Sequence, residues 1–125
     1  MTENDLSRVI VDAVFKIHTT LGPGLLESVY EAALEHELVR RGCHVVRQQA
    51  IPVVYEGIQL EVGFRADLIV NGKVVLEIKS VDAIAPVHPK QLRTYLRLTN
   101  LKLGLLINFN VSLIKDGITR VVNGL

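Results

Sequence analysis

Phe64-Arg65-Ala66-Asp67-Leu68-Ile69-Val70-Asn71-Gly72-Lys73-Val74-Val75-Leu76-Glu77-Ile78-Lys79-Ser80 places two carboxylates and a lysine on two strand-patterned segments around a turn. Residues two apart in a strand share a face, so Glu77 and Lys79 project together while Val74, Leu76 and Ile78 cover the other side. Upstream, Ile58, Leu60, Val62, Phe64, Ala66, Leu68 and Val70 are apolar at even positions, and Gln59, Glu61, Arg65 and Asp67 are polar at odd ones. Asp67 is therefore expected on the polar side. The turn decides whether it meets Glu77, because a one-residue slip exchanges the faces of a strand. A two-residue Asn71-Gly72 hairpin opposes Asp67 with Leu76 and puts the apolar rows on opposite sides. A three-residue Val70-Asn71-Gly72 connection, with Gly72 as the left-handed bulge residue, opposes Ile69 with Lys73 and Asp67 with Val75. Apolar then meets apolar, and Asp67 becomes the diagonal neighbour of Glu77 at about 7–8 Å between backbones. Two carboxylates at that separation can close around one hard cation. A Glu-x-Lys pair on a solvated strand face is also a common surface ion pair, so the rest of the chain must decide.

With 125 residues, 49% of them hydrophobic, the chain is expected to form a single domain over 1–125 with a core that needs no staples. No apolar run reaches the ~18 residues of a membrane span, and Glu3 and Asp5 stand where a signal peptide would be positive. These features point to a cytoplasmic protein without membrane association. Cys43 is the only cysteine, which excludes an intramolecular disulfide and a thiolate metal cluster, and His18, His36, His44 and His88 are scattered. A formal net charge of +1 excludes a polybasic coat and leaves room for a local basic patch.

Leu6, Val9, Ile10, Ala13, Val14, Ile17 and Leu21 recur at helical spacing, predicting a helix over 4–21 that stops at Gly22. A second helix is predicted over 25–41. Tyr30, Leu34 and Leu38 make its apolar stripe, and Glu27 falls on that stripe, whereas Glu31, Glu35 and Glu37 are read as solvent-facing. An inward carboxylate in the first turn is either a site residue or an acid favourable to the helix dipole. From His44 the period becomes 2. A Glu56-Gly57 turn opposes Tyr55 with Ile58, Val53 with Leu60 and Ile51 with Val62. With 73–80 this gives a three-stranded antiparallel meander, its apolar face covered by the N-terminal helices. A helix over 89–99 and an apolar strand over 103–108 follow, read as a crossover to a parallel strand, with a last edge strand over 118–122. On the third helix Gln91 and Tyr95 share a face, while Lys90, Arg93 and Arg97 line another. That basic side is either a solvated face or a contact for a phosphate backbone.

This order resembles the PD-(D/E)XK nuclease superfamily, an α/β restriction-endonuclease-like fold with an α-β-β-β-α-β core, here with an extra N-terminal helix. Gly24-Leu25-Leu26-Glu27-Ser28-Val29-Tyr30 followed by Ala33-Leu34 resembles its small bacterial branch, the GxxExxY proteins. The resemblance implies Asp67 and Glu77 as metal ligands, Lys79 as the catalytic lysine and Glu27 as the helix carboxylate completing the site. Gln91 and Tyr95 resemble the Gln-x-x-x-Tyr motif of the RecB-like exonuclease branch, close to substrate. Ala66 stands where the superfamily's name has proline. The implied cofactor is Mg²⁺ or Mn²⁺, held by Asp67, Glu77, the Ile78 backbone carbonyl and Glu27. The implied partner is DNA or RNA, contacted by Gln91, Tyr95, Lys90, Arg93 and Arg97, and a homodimer is one arrangement that would span a duplex. The function expected is metal-dependent phosphodiester hydrolysis. The alternative is a catalytically silent module of the same fold that binds nucleic acid or protein.

Overall fold

Near Cys43 the spacing of apolar residues changes from helical to alternating, and there the chain passes from helices into a sheet. The computed structural model describes residues 1–125, with the side chains of Glu61 and Val62 left undescribed. Helix α1 (Glu3–Leu21) begins with a capping box: the Thr2 hydroxyl accepts from the Asp5 N–H, and the Asp5 carboxylate accepts from the Thr2 N–H. Helix α2 (Glu27–Arg40) follows, then strands β1 (Val45–Tyr55), β2 (Ile58–Val70) and β3 (Val74–Lys79). Helix α3 (Val87–Thr99) leads to β4 (Leu103–Asn108) and, through a short 3₁₀ turn, to β5 (Ile118–Val122). Pro89 falls in the first turn of α3, where its missing N–H costs nothing, so the helix starts before the residue at which it was expected.

The five strands lie in the order β1-β2-β3-β4-β5. β1 to β3 form the antiparallel meander, β4 is parallel to β3, and β5 is antiparallel at the edge. One core lies between α1 and α2 and the sheet residues Leu68, Val70, Val74, Leu76, Ile78 and Leu105. A second lies under α3, where Leu92 and Leu96 pack with Ile51, Ala66, Ile69, Val75, Leu106 and Val121. β3 and β4 are thus covered on both faces, as their apolar runs predict. Gly104 makes the second layer possible, since a Cβ there would lie 2.9 Å from the Leu92 side chain.

Three expectations about the meander change. The turn is Asn71-Gly72-Lys73, with Val70 opposite Val74 and Ile69 opposite Val75, so Lys73 is not opposite Ile69 and Asp67 is not opposite Val75. The reason lies in β1. Asn71 exchanges hydrogen bonds with His44 through its N–H and its side-chain oxygen, each at 2.7 Å, which extends the β1–β2 ladder by one residue and pushes the turn along the chain. Asn71 and Gly72 both take positive φ, 52° and 62°, which these two residue types tolerate. In the first hairpin, Tyr55 faces Ile58 and Val53 faces Leu60 as expected, but Ile51 pairs with Phe64 instead of Val62. Pro52, which has no N–H to donate, sits at the resulting bulge, and Gly63 lets the Ile51 carbonyl approach to within 2.3 Å of where a Cβ would be. The place of Val62 in the apolar row lies outside the described residues.

The third change concerns the even row of β2. Ala66 joins the core under α3, whereas Leu68 joins the core under α1 and α2. Pairing with β1 keeps its register across this point, Gln49 opposite Ala66 and Arg47 opposite Leu68. Between them Gln48 adopts φ 55°, and there the strand pair turns its apolar row from one layer to the other. Only the part of the row beyond Asp67 therefore packs on the N-terminal helices.

Candidate functional site

The ladder between β2 and β3 ends at Leu68 and Leu76; beyond it β3 pairs with β4 alone. Counting one step further brings Asp67 opposite Glu77, so that the two carboxylates form a fork at the end of the ladder, closer than the diagonal arrangement expected. The two carboxylates replace the missing rungs. Asp67 Oδ2 accepts from the Ile78 N–H at 2.8 Å, and Glu77 Oε1 accepts from the Asp67 N–H at 3.3 Å. Lys79, two residues along the face of Glu77, is half-buried and has no carboxylate within ion-pair distance among the described residues.

Glu27 reaches the same end of the sheet by another route. Tyr30, fully buried and stacked on Phe109, donates to the Gly22 carbonyl at 2.6 Å and accepts from the Leu25 N–H at 3.1 Å, which folds the Gly22-Pro23-Gly24 breaker over the helix start. Ser80 then binds this segment: its hydroxyl donates to the Leu25 carbonyl and its N–H to Glu27 Oε2 at 3.2 Å. Glu27 is exposed and does not lie inward on the Tyr30–Leu34 stripe, because it is the first residue of α2 and stands beyond the core. It nonetheless lines one cleft with Glu31, Gln48, Asp67 and Ile78.

Glu31 and Gln48 are the members of this cleft that sequence reasoning missed. Glu31 was expected in solvent but is only 6% exposed. Arg47 Nε donates to its Oε2 at 2.8 Å, and Gln48 Nε2 donates to its Oε1 at 2.6 Å and to Asp67 Oδ1 at 3.4 Å. Glu37, also expected in solvent, is buried and paired with exposed Lys16 and with Arg41, away from this cleft. No single residue type signals Gln48; its role comes from the left-handed kink that turns it toward both carboxylates.

The electrostatics are those of a cluster short of positive charge. Burial raises the Asp67 carboxyl above its usual range, the Ile78 N–H opposes the shift, and Glu31 adds to it. Burial and the Asp67 charge push Glu77 up to about 8. Tyr95, raised by burial and then by Glu77 and Asp67, lies near both and stacks on Phe64 with ring centroids 3.4 Å apart. Gln91, one turn earlier, is exposed. Lys90, Arg93 and Arg97 are exposed too, but on the opposite flank of α3, facing β5 across a groove. The structure thus brings Asp67, Glu77, Glu27, Lys79 and Tyr95 to one end of the sheet and separates the three basic residues from them.

Among the described residues no three His, Cys, Asp or Glu groups already converge as a closed cation cage. The donor set still fits a hard divalent cation of the Mg²⁺ kind, which takes one or two carboxylates and keeps water or substrate oxygens elsewhere. Asp67 and Glu77 are oxygen donors that each accept one backbone N–H, Asp67 also a long bond from Gln48, and neither has a side-chain cation among the described ion pairs. Enzymes of the PD-(D/E)XK type generally use divalent metals.

No helix of the described residues is long and apolar enough to cross a membrane. No curated protein and no solved structure matches the chain. A family model described as the PD-(D/E)XK nuclease superfamily matches residues 4–121. That match reaches all five strands and all three helices, so the chain belongs to the PD-(D/E)XK nuclease superfamily.

Proposed function

We propose that the chain, as one domain over 1–125, is a Mg²⁺- or Mn²⁺-dependent nuclease of the GxxExxY branch that hydrolyses phosphodiester bonds in DNA or RNA. One observation carries this reading: half-buried Asp67 and buried Glu77 stand opposite each other at the end of a ladder, without a counter-cation among the described ion pairs, with Lys79 on the same face. Structural acids in a core are normally paired; a pair left in mutual repulsion suits a cation.

Asp67, Glu77 and the Ile78 carbonyl would hold the ion, with Glu27 directly or through water. When bound, the ion lowers the pKa of a coordinated water and neutralises charge building on the phosphoryl oxygens. Lys79 orients the attacking water and donates to a nonbridging oxygen as charge grows there. Tyr95 offers its ring edge and hydroxyl, and Gln91 its amide, along the wall where the substrate would lie. The water oxygen bonds to phosphorus as the P–O bond to the neighbouring nucleotide breaks, and the leaving oxygen takes a proton from solvent. The proton lost by the water passes to solvent or through Lys79.

A second reading has an observation of its own. Asp67 and Glu77 each cap a backbone N–H, so they also serve as rungs, and a silent member of the fold that binds nucleic acid or protein would keep them for that purpose. An assay on single- and double-stranded DNA and RNA with Mg²⁺ or Mn²⁺ separates the two. Cleavage lost in Lys79→Ala supports the nuclease; equal products from both proteins, or none from either, leave the silent module.

A further inference from the structure

The groove between α3 and β5 has its own chemistry. It is an open cleft of about 500 Å³, walled by Lys90, Arg93, Thr94 and Arg97 of α3 and by Thr119 of β5. Among the described residues no carboxylate pairs with Lys90, Arg93 or Arg97. No Asp or Glu lies between position 83 and position 115, so these cations face no acid on α3 or β4. The only hydrogen bond described for their side chains is weak, from Arg97 to the Thr94 hydroxyl at 3.3 Å.

The pairing of the strands fixes where this groove lies relative to the fork. Glu77 is opposite Leu106 on β4, and Leu106 is opposite Thr119 on β5. Glu77 and Thr119 therefore sit in one row, two strand spacings or roughly 10 Å apart. α3 lies over Leu106 between them, its Leu92 and Leu96 packed downward and its Tyr95 flank turned to the fork. The basic side chains project from the other flank. A helix with its side chains is about 10–12 Å across, so their charged ends stand some 10–15 Å from Glu77. They cannot touch the phosphate at the fork, but they can hold phosphates several nucleotides along the same chain, given about 3.4 Å of rise per nucleotide in a duplex strand.

We propose that this groove is a second binding site for the phosphodiester backbone of nucleic acid, engaging it three to five nucleotides away from the bond held at the fork. The proposal rests on the nucleic-acid reading above and adds to it a minimum length of substrate. The chemistry favours phosphodiester over an acidic protein: two guanidinium forks and an ammonium with two hydroxyls nearby match repeated, closely spaced phosphates.

The test is equilibrium binding, not cleavage. Fluorescence anisotropy with a fluorescein-labelled 20-nucleotide single strand and its duplex is measured in EDTA over a series of salt concentrations, for the Lys79→Ala protein with and without Lys90→Gln, Arg93→Gln and Arg97→Gln. The triple change should weaken binding of the 20-mer about tenfold or more and reduce the salt slope by about two. Binding of a tetranucleotide, too short to reach both places, should weaken as well, because in EDTA and without Lys79 the groove is the cationic place left for a short strand. Equal 20-mer affinity and slope in the two proteins overturns the groove, as does competition by polyglutamate at the same charge concentration, which would mark a general anion surface. Absence of cleavage by the unmodified protein does not alter these readings; it removes the nuclease and leaves the groove.

Discussion

Glu37 and Glu77 are both acids in a largely apolar setting, and the molecule treats them in opposite ways. Glu37 receives Lys16 at 3.0 Å and Arg41 at 3.2 Å, and these partners lower its pKa. Glu77 faces another carboxylate, receives one backbone N–H, and is pushed up to about 8. The first arrangement serves the protein alone: it pins α1 to α2 and is complete. The second is complete only when something positive arrives. On the function proposed above, the difference separates an acid that holds the fold from an acid kept ready for a cation.

Lys79 offers the hardest test of that contrast, with the largest expected effect. If its role were charge balance, as for Lys16, Lys79→Gln would cost little turnover. If it positions water and stabilises charge on the phosphoryl group, Lys79→Gln should bind Mn²⁺ as well as before and lose roughly 10²–10³ in rate. Arginine should not rescue, since a planar fork does not reproduce a compact ammonium. Titration calorimetry and single-turnover cleavage measure the two halves separately.

Stability against pH comes next. Unfolded, Glu77 ionises near 4.5; folded, near 8. Between those values unfolding releases a proton, so the metal-free protein should lose stability as pH rises from 4.5 to 8, by an amount on the order of a few kcal/mol. Glu77→Gln should remove this decline and melt higher than the unmodified protein at pH 8 in EDTA. Glu37 has the opposite sign: its lowered pKa contributes stability above the unfolded value, lost on acidification, so Glu37→Gln should melt lower at neutral pH. Saturating Mn²⁺ should flatten the unmodified protein's profile and leave that of Glu77→Gln, which already lacks the decline, unchanged. Parallel melting curves for the two variants would end the comparison.

Much of the fork was legible because its signals are local. The alternation of Val74, Leu76 and Ile78 against Glu77 and Lys79 assigns faces within six residues, and the apolar run at 103–108 announces a strand covered on both sides. Glu31 was not legible. Its burial depends on Arg47 and Gln48, sixteen and seventeen residues away, and on a left-handed Gln48 that no pattern of polarity encodes. The turn at Asn71 was misplaced for a related reason: its register is set by His44 across the sheet, not by the turn residues alone. The basic residues on α3 read as a side of their own, either solvated or a phosphate contact, because spacing along a helix cannot say which flank meets β2 and which meets β5.

Tyr30 provides a smaller effect, on the frame of the site. Tyr30→Phe leaves the Leu25 N–H and the Gly22 carbonyl without their partner and should cost about 1–3 kcal/mol in chemical denaturation. Because that loop carries Leu25 and leads into Glu27, the variant should also weaken Mn²⁺ binding. A loss of stability with unaltered Mn²⁺ affinity would separate the loop from the fork.

Glu27 is the most delicate test, because it sits between the two kinds of acid. It is exposed, with no cationic partner among the described ion pairs, and it accepts from the Ser80 N–H at 3.2 Å. If it only ties the end of β3 to α2, Glu27→Gln keeps an oxygen acceptor for Ser80, and both stability and Mn²⁺ affinity should stay where they are. If it shares the ion with Asp67, directly or through water, the loss of one negative charge should weaken Mn²⁺ binding on the order of tenfold while melting in EDTA stays within about 0.5 kcal/mol. Glu31→Gln makes the matching control. Arg47 and Gln48 already occupy both its oxygens, so its neutralisation should move stability more than Mn²⁺ affinity. Should Glu31→Gln weaken Mn²⁺ more than Glu27→Gln does, the helix carboxylate of this site is the buried one, a turn further along α2 than the motif places it.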